Sequence, residues 1–180
     1  MLLSGARYEE IKKTVVDVFD KLDIHCTPIN VFEIAIKLGV KIIPYSSKPQ
    51  EVQKLMLKQS EDGFSVKRFG KWYIFYNDSK SDGRINNTIM HEAGHIVLDH
   101  TEDSELAEAE AKFFAKFALA PPVLIHKYKL TDVHDIAERF EISLEAANYA
   151  LKFYYKWLNY SGEYYTDYEI KLCKLFGIAI

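Results

Sequence analysis

The sequence predicts an α+β fold in a single domain, with a small antiparallel or mixed sheet ahead of a mostly helical C-terminal half. Apolar residues recur at helical spacing near the amino terminus, from Tyr8 through Ile11 and Val15 to Phe19. Aromatic and branched residues then concentrate in short segments up to residue 77, and helical spacing resumes near residue 81. A length of 180 residues with 48% hydrophobic residues suits one core.

The first half of the chain carries clear helix and strand boundaries. A second short helix is predicted after Asn30, where Glu33 completes a capping box and Gly39 is the stop signal. Val40 to Tyr45 is predicted to be a strand. Residues 46–60 are polar and give no clear assignment.

A hairpin is predicted next. Residues 64–68 and 71–77 are rich in aromatic and branched side chains, and Phe69-Gly70 between them marks the turn. A helix beginning near Ser81 follows directly, so the sheet lies just before that helix in the chain.

That helix carries the most informative stretch of the sequence, His91-Glu92-Ala93-Gly94-His95, an HExxH motif. Residues four apart lie on one helix face, so His91 and His95 can bind one metal ion. Glu92 points roughly 100° away around the axis, where it can act on a water as general base. Imidazole and carboxylate ligands with an open position favour a hydrolytic Zn²⁺ site. The alternative is a surface helix that carries these residues by chance.

A zinc site of this kind needs a third protein ligand, and a downstream Ala-rich helix offers candidates. The candidates are Glu105, Glu108 and Glu110. Glu110 falls within the apolar stripe, three residues before Phe113 and seven before Phe117. Glu108 has Lys112 at i+4 and resembles half of a solvated ion pair, and Glu105 resembles an exposed residue. We therefore choose Glu110. The alternative is a buried Glu110 that pairs with a Lys or Arg from elsewhere.

Two further side chains follow the motif. If the helix continued, His100 would lie about 140° around from His95, so we assign it to the helix C-terminus, where a cation is favourable. Asp99 shares the face of His95 at i+4. It is either an acceptor for an imidazole N–H or a plain surface residue.

The residues around the motif resemble the ImmA/IrrE family of zinc metallopeptidases. The resemblance runs from about Pro28 to Leu151 and rests on the segments Gly63–Val66, Trp72–Asn77, Arg84–Leu98, Glu110–Ala115 and Leu119-Ala120-Pro121. It implies a zincin-like metallopeptidase domain with His91, His95 and Glu110 as zinc ligands and Glu92 as catalytic base. The chain departs from the family pattern at Lys112, where Asn is usual, and at Ala120, where Met is usual.

The resemblance also implies a substrate. Members of the family often cleave, or help to inactivate, a repressor encoded nearby on a mobile element or in a stress regulon. We therefore expect a zinc-dependent endopeptidase that cleaves a protein, a cognate helix-turn-helix repressor. The alternative is a zinc-containing regulator that inactivates the repressor by binding alone. Candidates for an oxyanion donor are Arg84, His126 and the C-terminal tyrosines.

Residues 132–155 resemble a helix-turn-helix, with Ser143 as N-cap of the second helix. This pattern is found in DNA-binding proteins. Against DNA binding, Glu141 occupies the turn position usually filled by Gly, and the second helix offers a mixed set of charges that includes Lys152 and Lys156. Two packed helices that complete the domain, or a surface for a protein partner, would show the same pattern. We expect no direct DNA binding.

The remaining expectations concern the ends of the chain and its surroundings. We assign residues 1–158 to the metallopeptidase domain and 159–180 to a Tyr-rich extension that packs on it or covers the zinc cleft. The net charge of −3 shows no global basic field, and no apolar segment approaches the length of a membrane span. Cys26 and Cys173 are expected as reduced, buried thiols. These features, with no signal-peptide core, predict a cytoplasmic protein; the sequence leaves the oligomeric state open.

Overall fold

The N-terminal helices form where the spacing of apolar residues predicts them. The computed structural model describes residues 3–161 and 164–180. Helix α1 spans Gly5–Lys21 and buries Ile11, Val15, Val16 and Phe19. Helix α2 spans Val31–Lys37, and the side chain of its N-cap Asn30 accepts a hydrogen bond from the backbone N–H of Glu33. The first prediction about the fold, two helices ahead of the sheet, is therefore confirmed.

A three-stranded mixed sheet follows. The strands are β1 (Lys41–Pro44), β2 (Gly63–Arg68) and β3 (Lys71–Tyr76). Their order is β1-β3-β2, with β1 parallel to β3 and β2 antiparallel to β3. The β2–β3 hairpin turns at Phe69 and Gly70, both with φ above zero, as a tight turn requires. This order leaves β2 as a terminal strand of the sheet.

One element has no counterpart in the sequence prediction. Between β1 and β2 the chain forms α3, a helix over Gln50–Gln59. None of its residues is buried, and Leu55 and Leu57 are among its exposed side chains. The polar composition of residues 46–60 hid a helix that contributes little to the core.

The C-terminal half is helical, as predicted. It contains α4 (Asp82–Val97), α5 (Glu105–Leu119), α6 (Pro122–Lys127), α7 (Val133–Phe140), α8 (Leu144–Ser161) and α9 (Asp167–Leu175). Helices α4 and α5 pack closely, and the core gathers apolar residues of α1, α2, β3 and these two helices. The predicted α+β class with a small sheet ahead of a helical half is confirmed.

The last helix lies against the body of the protein. Tyr168, Leu172 and Cys173 of α9 are buried, and the Tyr168 hydroxyl donates a hydrogen bond to Glu9 of α1 at 3.0 Å. Cys173 is buried as expected, whereas Cys26 is exposed; both are free thiols. The division at residue 158 falls within α8 and stays a prediction. None of the described helices is both long and apolar enough to cross a membrane.

Candidate metal centre

The two motif histidines lie side by side at the open face of α4. Helix α4 is anchored in the core through the buried residues Ile89, Met90, Ala93 and Gly94. His91 and His95 lie about one helical turn apart, and their Nε2 atoms are 3.1 Å from each other. Helical spacing thus brings the pair together as the sequence predicts.

Helix α5 crosses α4 at Gly94. A Cβ atom built on Gly94 would lie 3.1 Å from Cδ1 of Phe114 and 3.3 Å from its Cβ, closer than ordinary van der Waals contact. Only a glycine lets the two helices approach this closely without strain. Because α5 runs so near to α4, a carboxylate on its first turns can reach the two imidazoles.

Glu108 is the carboxylate that reaches them. Its Oε1 lies 3.2 Å from Nε2 of His95, and its Oε2 lies 3.6 Å from Nε2 of His91. Together, His91, His95 and Glu108 offer ligand atoms within 4.8 Å of one another. A tetrahedral zinc ion with bonds of about 2.0–2.1 Å separates its ligand atoms by about 3.3 Å. The observed distances lie close to this value, so the three side chains fit a zinc ion.

Glu110, the ligand chosen from the sequence, is not brought to the imidazole pair. It is buried, as the apolar stripe indicates, with 5% of its surface exposed. Its two oxygens accept hydrogen bonds from Nε and Nη2 of Arg7, each at 2.7 Å. The structure therefore matches the alternative, a buried glutamate paired with an arginine from elsewhere in the chain. The guanidinium lowers the pKa of Glu110 below its ordinary value.

His100 also lies elsewhere than expected. We expected it on the far side of the helix, but α4 ends at Val97 and Asp99 adopts a left-handed conformation with φ of 54°. The chain turns back, so that Nδ1 of His100 lies 2.9 Å from Nδ1 of His95 and its Nε2 lies 2.9 Å from Oε2 of Glu110. Extrapolating the helix past its end caused the error.

The electrostatics favour neutral imidazoles. Burial lowers the pKa of His91 to about 4, and the nearby His95 adds to the effect. Burial likewise lowers the pKa of His95. A neutral imidazole keeps a lone pair for a metal ion. Near pH 7, therefore, the two histidines do not need to lose a proton before they bind a metal ion.

Glu92 sits beside the pair, in the wall of an open cleft. The hydroxyl of Ser65 on β2 donates a hydrogen bond to its Oε2 at 2.7 Å. Burial raises the pKa of Glu92, while this hydrogen bond opposes the rise. A carboxyl with a raised pKa at the edge of a cleft suits proton transfer near neutral pH.

The cleft has a volume of about 990 Å³ and lies between three parts of the fold. Strand β2 with Ser65 forms one side, and α3 with Leu55 forms another. The third side is formed by the segment from Asp99 to Asp103 together with His95 and Glu108. Asp99 thus lines the cleft. The candidate metal centre therefore opens onto a groove with the terminal strand β2 along one side.

Two of the suggested oxyanion donors are engaged elsewhere. Arg84 forms an ion pair with Asp62, with Nε–Oδ1 at 2.6 Å. Nδ1 of His126 lies 3.1 Å from the hydroxyl of Tyr154, outside the cleft lining. The sequence reasoning also missed Ser65, because a serine in a strand carries no signal of its own until its partner is known.

The helix pair at residues 132–155 forms as α7 and α8. Ser143 caps α8 by accepting a hydrogen bond from the backbone N–H of Ala146 at 3.1 Å. Glu141 adopts the left-handed conformation, with φ of 50°. Asn86 of α4 donates a hydrogen bond to the carbonyl of Glu141 at 3.2 Å, so the turn packs against the motif helix.

The comparisons with known proteins add one match. A protein-family profile described as Peptidase_M78, IrrE N-terminal-like domain, matches residues 36–152. The match covers well over half of the chain and includes the sheet, α4, α5 and the first half of α8. The comparison with curated proteins gave no match.

Proposed function

Since the chain belongs to the M78 peptidase family of IrrE N-terminal-like domains, we propose that it is a zinc-dependent endopeptidase that cleaves a protein substrate. The observation that carries this proposal is the convergence of His91, His95 and Glu108 beside Glu92 at an open cleft. A zinc ion bound there would polarise the scissile carbonyl and acidify a water. In this proposal the third zinc ligand is Glu108, instead of Glu110, which was expected from the sequence.

The side chains of the cleft have separate roles in hydrolysis. Glu92 takes the proton of the attacking water and later delivers it to the leaving amine. The hydroxyl of Ser65 holds the carboxylate of Glu92 in place through the hydrogen bond at 2.7 Å. Burial lowers the pKa of His91 and of His95, which favours neutral imidazoles, and each neutral ring has one nitrogen with a lone pair for the metal.

The substrate would lie along β2. A terminal strand offers backbone N–H and C=O groups that an extended peptide can pair with, as in strand addition. The side chain of Ser65, which points to Glu92, marks where this strand passes the catalytic base. An extended segment of a folded protein, or a mobile loop, would enter the cleft that β2 lines.

We further propose that the substrate is a helix-turn-helix repressor in the cytoplasm. The support is the family membership together with the α7–α8 surface, where Lys152 and Lys156 are exposed. A protein that inactivates the repressor by binding alone would have the same surface. Cleavage and binding alone are therefore distinguished only by whether the repressor is cut. Contact of the α7–α8 turn with α4 favours a protein contact over a DNA contact, because the start of α8 is packed against the domain.

The test is incubation with the repressor encoded beside the gene, with and without a chelator, followed by intact-mass spectrometry. We expect two fragments whose masses add up to the repressor plus one water, and no fragments with the chelator. The matched control is Glu92→Gln, which keeps the size of the side chain but removes the base. This variant should keep its zinc and bind the repressor without cleaving it. Loss of repressor activity with Glu92→Gln, without cleavage, would replace the proposal with inactivation by binding.

A further inference from the structure

A continuous chain of hydrogen bonds connects the metal centre to the first helix. It starts at His95, passes to His100 through the two Nδ1 atoms at 2.9 Å, and continues to Glu110 at 2.9 Å. Arg7 of α1 then holds Glu110 with two hydrogen bonds of 2.7 Å. Up to 103 residues of sequence separate Arg7 from His100 and Glu110, so the tertiary fold brings this series of hydrogen bonds together.

In each of these hydrogen bonds, the chemistry of the two groups that it joins decides which one donates. The Glu110 carboxylate accepts two hydrogen bonds from Arg7, so it is an acceptor, and Nε2 of His100 must donate to it. A histidine that binds zinc through Nε2 carries its proton on Nδ1, so Nδ1 of His100 is the acceptor when His95 is a zinc ligand. Nδ1 of His95 must therefore donate to it.

This places the proton of His95 on Nδ1 and leaves the lone pair on Nε2. Nε2 is the atom that lies 3.1 Å from Nε2 of His91 and 3.2 Å from Oε1 of Glu108. The same bonds fix the orientation of the ring. A metal-binding histidine commonly donates its other N–H to an acceptor that sets its tautomer, and here the acceptor is another histidine backed by a carboxylate.

We propose that His100 is a positioning residue for the metal centre: it fixes the tautomer and ring orientation of His95, and Glu110 and Arg7 hold it in place. The inference deepens the proposed function, since it rests on His95 as a zinc ligand. It also assigns a role to the buried Glu110, which lies next to the ligand set without joining it.

The experiment measures zinc affinity by competition with a chromophoric chelator. His100→Leu removes both ring nitrogens at similar size, and we expect zinc binding weaker by about 10- to 100-fold. His100→Asn restores an acceptor near the position of Nδ1, and we expect it to recover part of the loss. The matched control is Lys171→Ala, which breaks ion pairs between α9 and α1 at 2.8–2.9 Å but touches neither histidine. Its zinc affinity should equal that of the wild type.

A second readout separates positioning from loss of fold. Long-range proton–nitrogen NMR spectra report which ring nitrogen of a histidine carries the proton, and the chain has only six histidines to assign. In zinc-free protein we expect the His95 proton on Nδ1 in the wild type and a mixture of tautomers in His100→Leu. Thermal unfolding of zinc-free samples shows whether His100→Leu is folded. If it is not folded, the zinc affinity and the His95 tautomer of His100→Asn, compared with those of the wild type, test the positioning role.

The outcomes distinguish the two proposals. Zinc affinity of His100→Leu equal to that of the wild type, or a His95 proton on Nε2 in the wild type, would overturn the positioning role while leaving the zinc site intact. A wild-type protein that binds no zinc would overturn the proposed function and the positioning role together.

Discussion

The close approach of α4 and α5 at Gly94 makes a quantitative prediction about the metal centre. In Gly94→Ala, the new Cβ would lie 3.1 Å from Cδ1 and 3.3 Å from Cβ and Cγ of Phe114. Ordinary contacts begin at 3.4 Å, so the neighbours must move by about 0.3 Å. Rotation of the Phe114 ring cannot relieve the contact at its Cβ, because that atom is bonded directly to the backbone.

Two effects on stability oppose each other in this variant. Alanine is better than glycine inside a helix by about 1 kcal/mol. Overpacking a filled site costs about 1–3 kcal/mol, and Phe114 is buried, with 2% of its surface exposed. We expect a net loss of about 1 kcal/mol in the free energy of unfolding of the zinc-free protein.

The effect on zinc binding should be larger than the effect on stability suggests. Metal sites tolerate about 0.2 Å in ligand distances, and a shift of α5 moves Glu108 away from His95. We expect zinc affinity to fall about tenfold, which corresponds to about 1.4 kcal/mol. Urea unfolding with a chelator gives the stability, and chelator competition gives the affinity.

Gly5→Ala is the matched control, since a Cβ on Gly5 in α1 has no atom within 4 Å. It should leave zinc affinity unchanged and stabilise slightly. The reasoning is refuted if Gly94→Ala gains the full 1 kcal/mol or so of helix propensity and binds zinc as tightly as the wild type.

Two other predictions concern the α7–α8 pair: one its junction with α4, the other its exposed lysines. Gly83→Ala should destabilise by about 2–3 kcal/mol in urea unfolding, because its Cβ would lie 2.6 Å from the backbone N of Ser143, which cannot move alone; a loss below about 0.5 kcal/mol would contradict this. Reversing Lys152 and Lys156 to Glu should weaken repressor association in a pull-down but leave zinc content unchanged. In a gel shift at physiological salt, tight sequence-specific DNA binding by the wild type would overturn the protein-contact hypothesis.

The spacing rules succeeded where a residue's role follows from its own helix or strand. His91, Glu92 and His95 lie where an HExxH helix places them, because helical geometry alone sets their relative positions. The hairpin around Gly70 formed for the same reason, since the turn is decided by the two residues that make it. These features need no knowledge of distant parts of the chain.

The proposed third ligand, Glu108, differs from the residue that a ranking by burial selects. Periodicity identified Glu110 as the buried glutamate, and it is buried. The carboxylate that faces the two imidazoles is instead that of Glu108, whose side chain keeps 44% of its surface exposed. The ion pair with Lys112 that suggested a solvated residue is present at 3.7 Å, yet the same carboxylate faces the imidazoles.

The partners of Glu110 were beyond the sequence for another reason. Arg7 lies 103 residues away, and nothing in the composition of α1 marks it as the partner. His100 required knowing that α4 ends at Val97 and that Asp99 turns the chain. Helix ends at left-handed residues other than glycine are poorly signalled, so extrapolation placed His100 on the wrong side.

The zinc content of two glutamate variants tests the account most directly. Wild type, Glu108→Gln and Glu110→Gln are purified, supplied with excess zinc, dialysed and measured by elemental mass spectrometry. We predict about one zinc per chain for the wild type and for Glu110→Gln, whose amide oxygen can still accept from His100, and a loss of most of the zinc for Glu108→Gln. Full zinc in Glu108→Gln together with loss in Glu110→Gln would contradict the ligand set His91, His95 and Glu108.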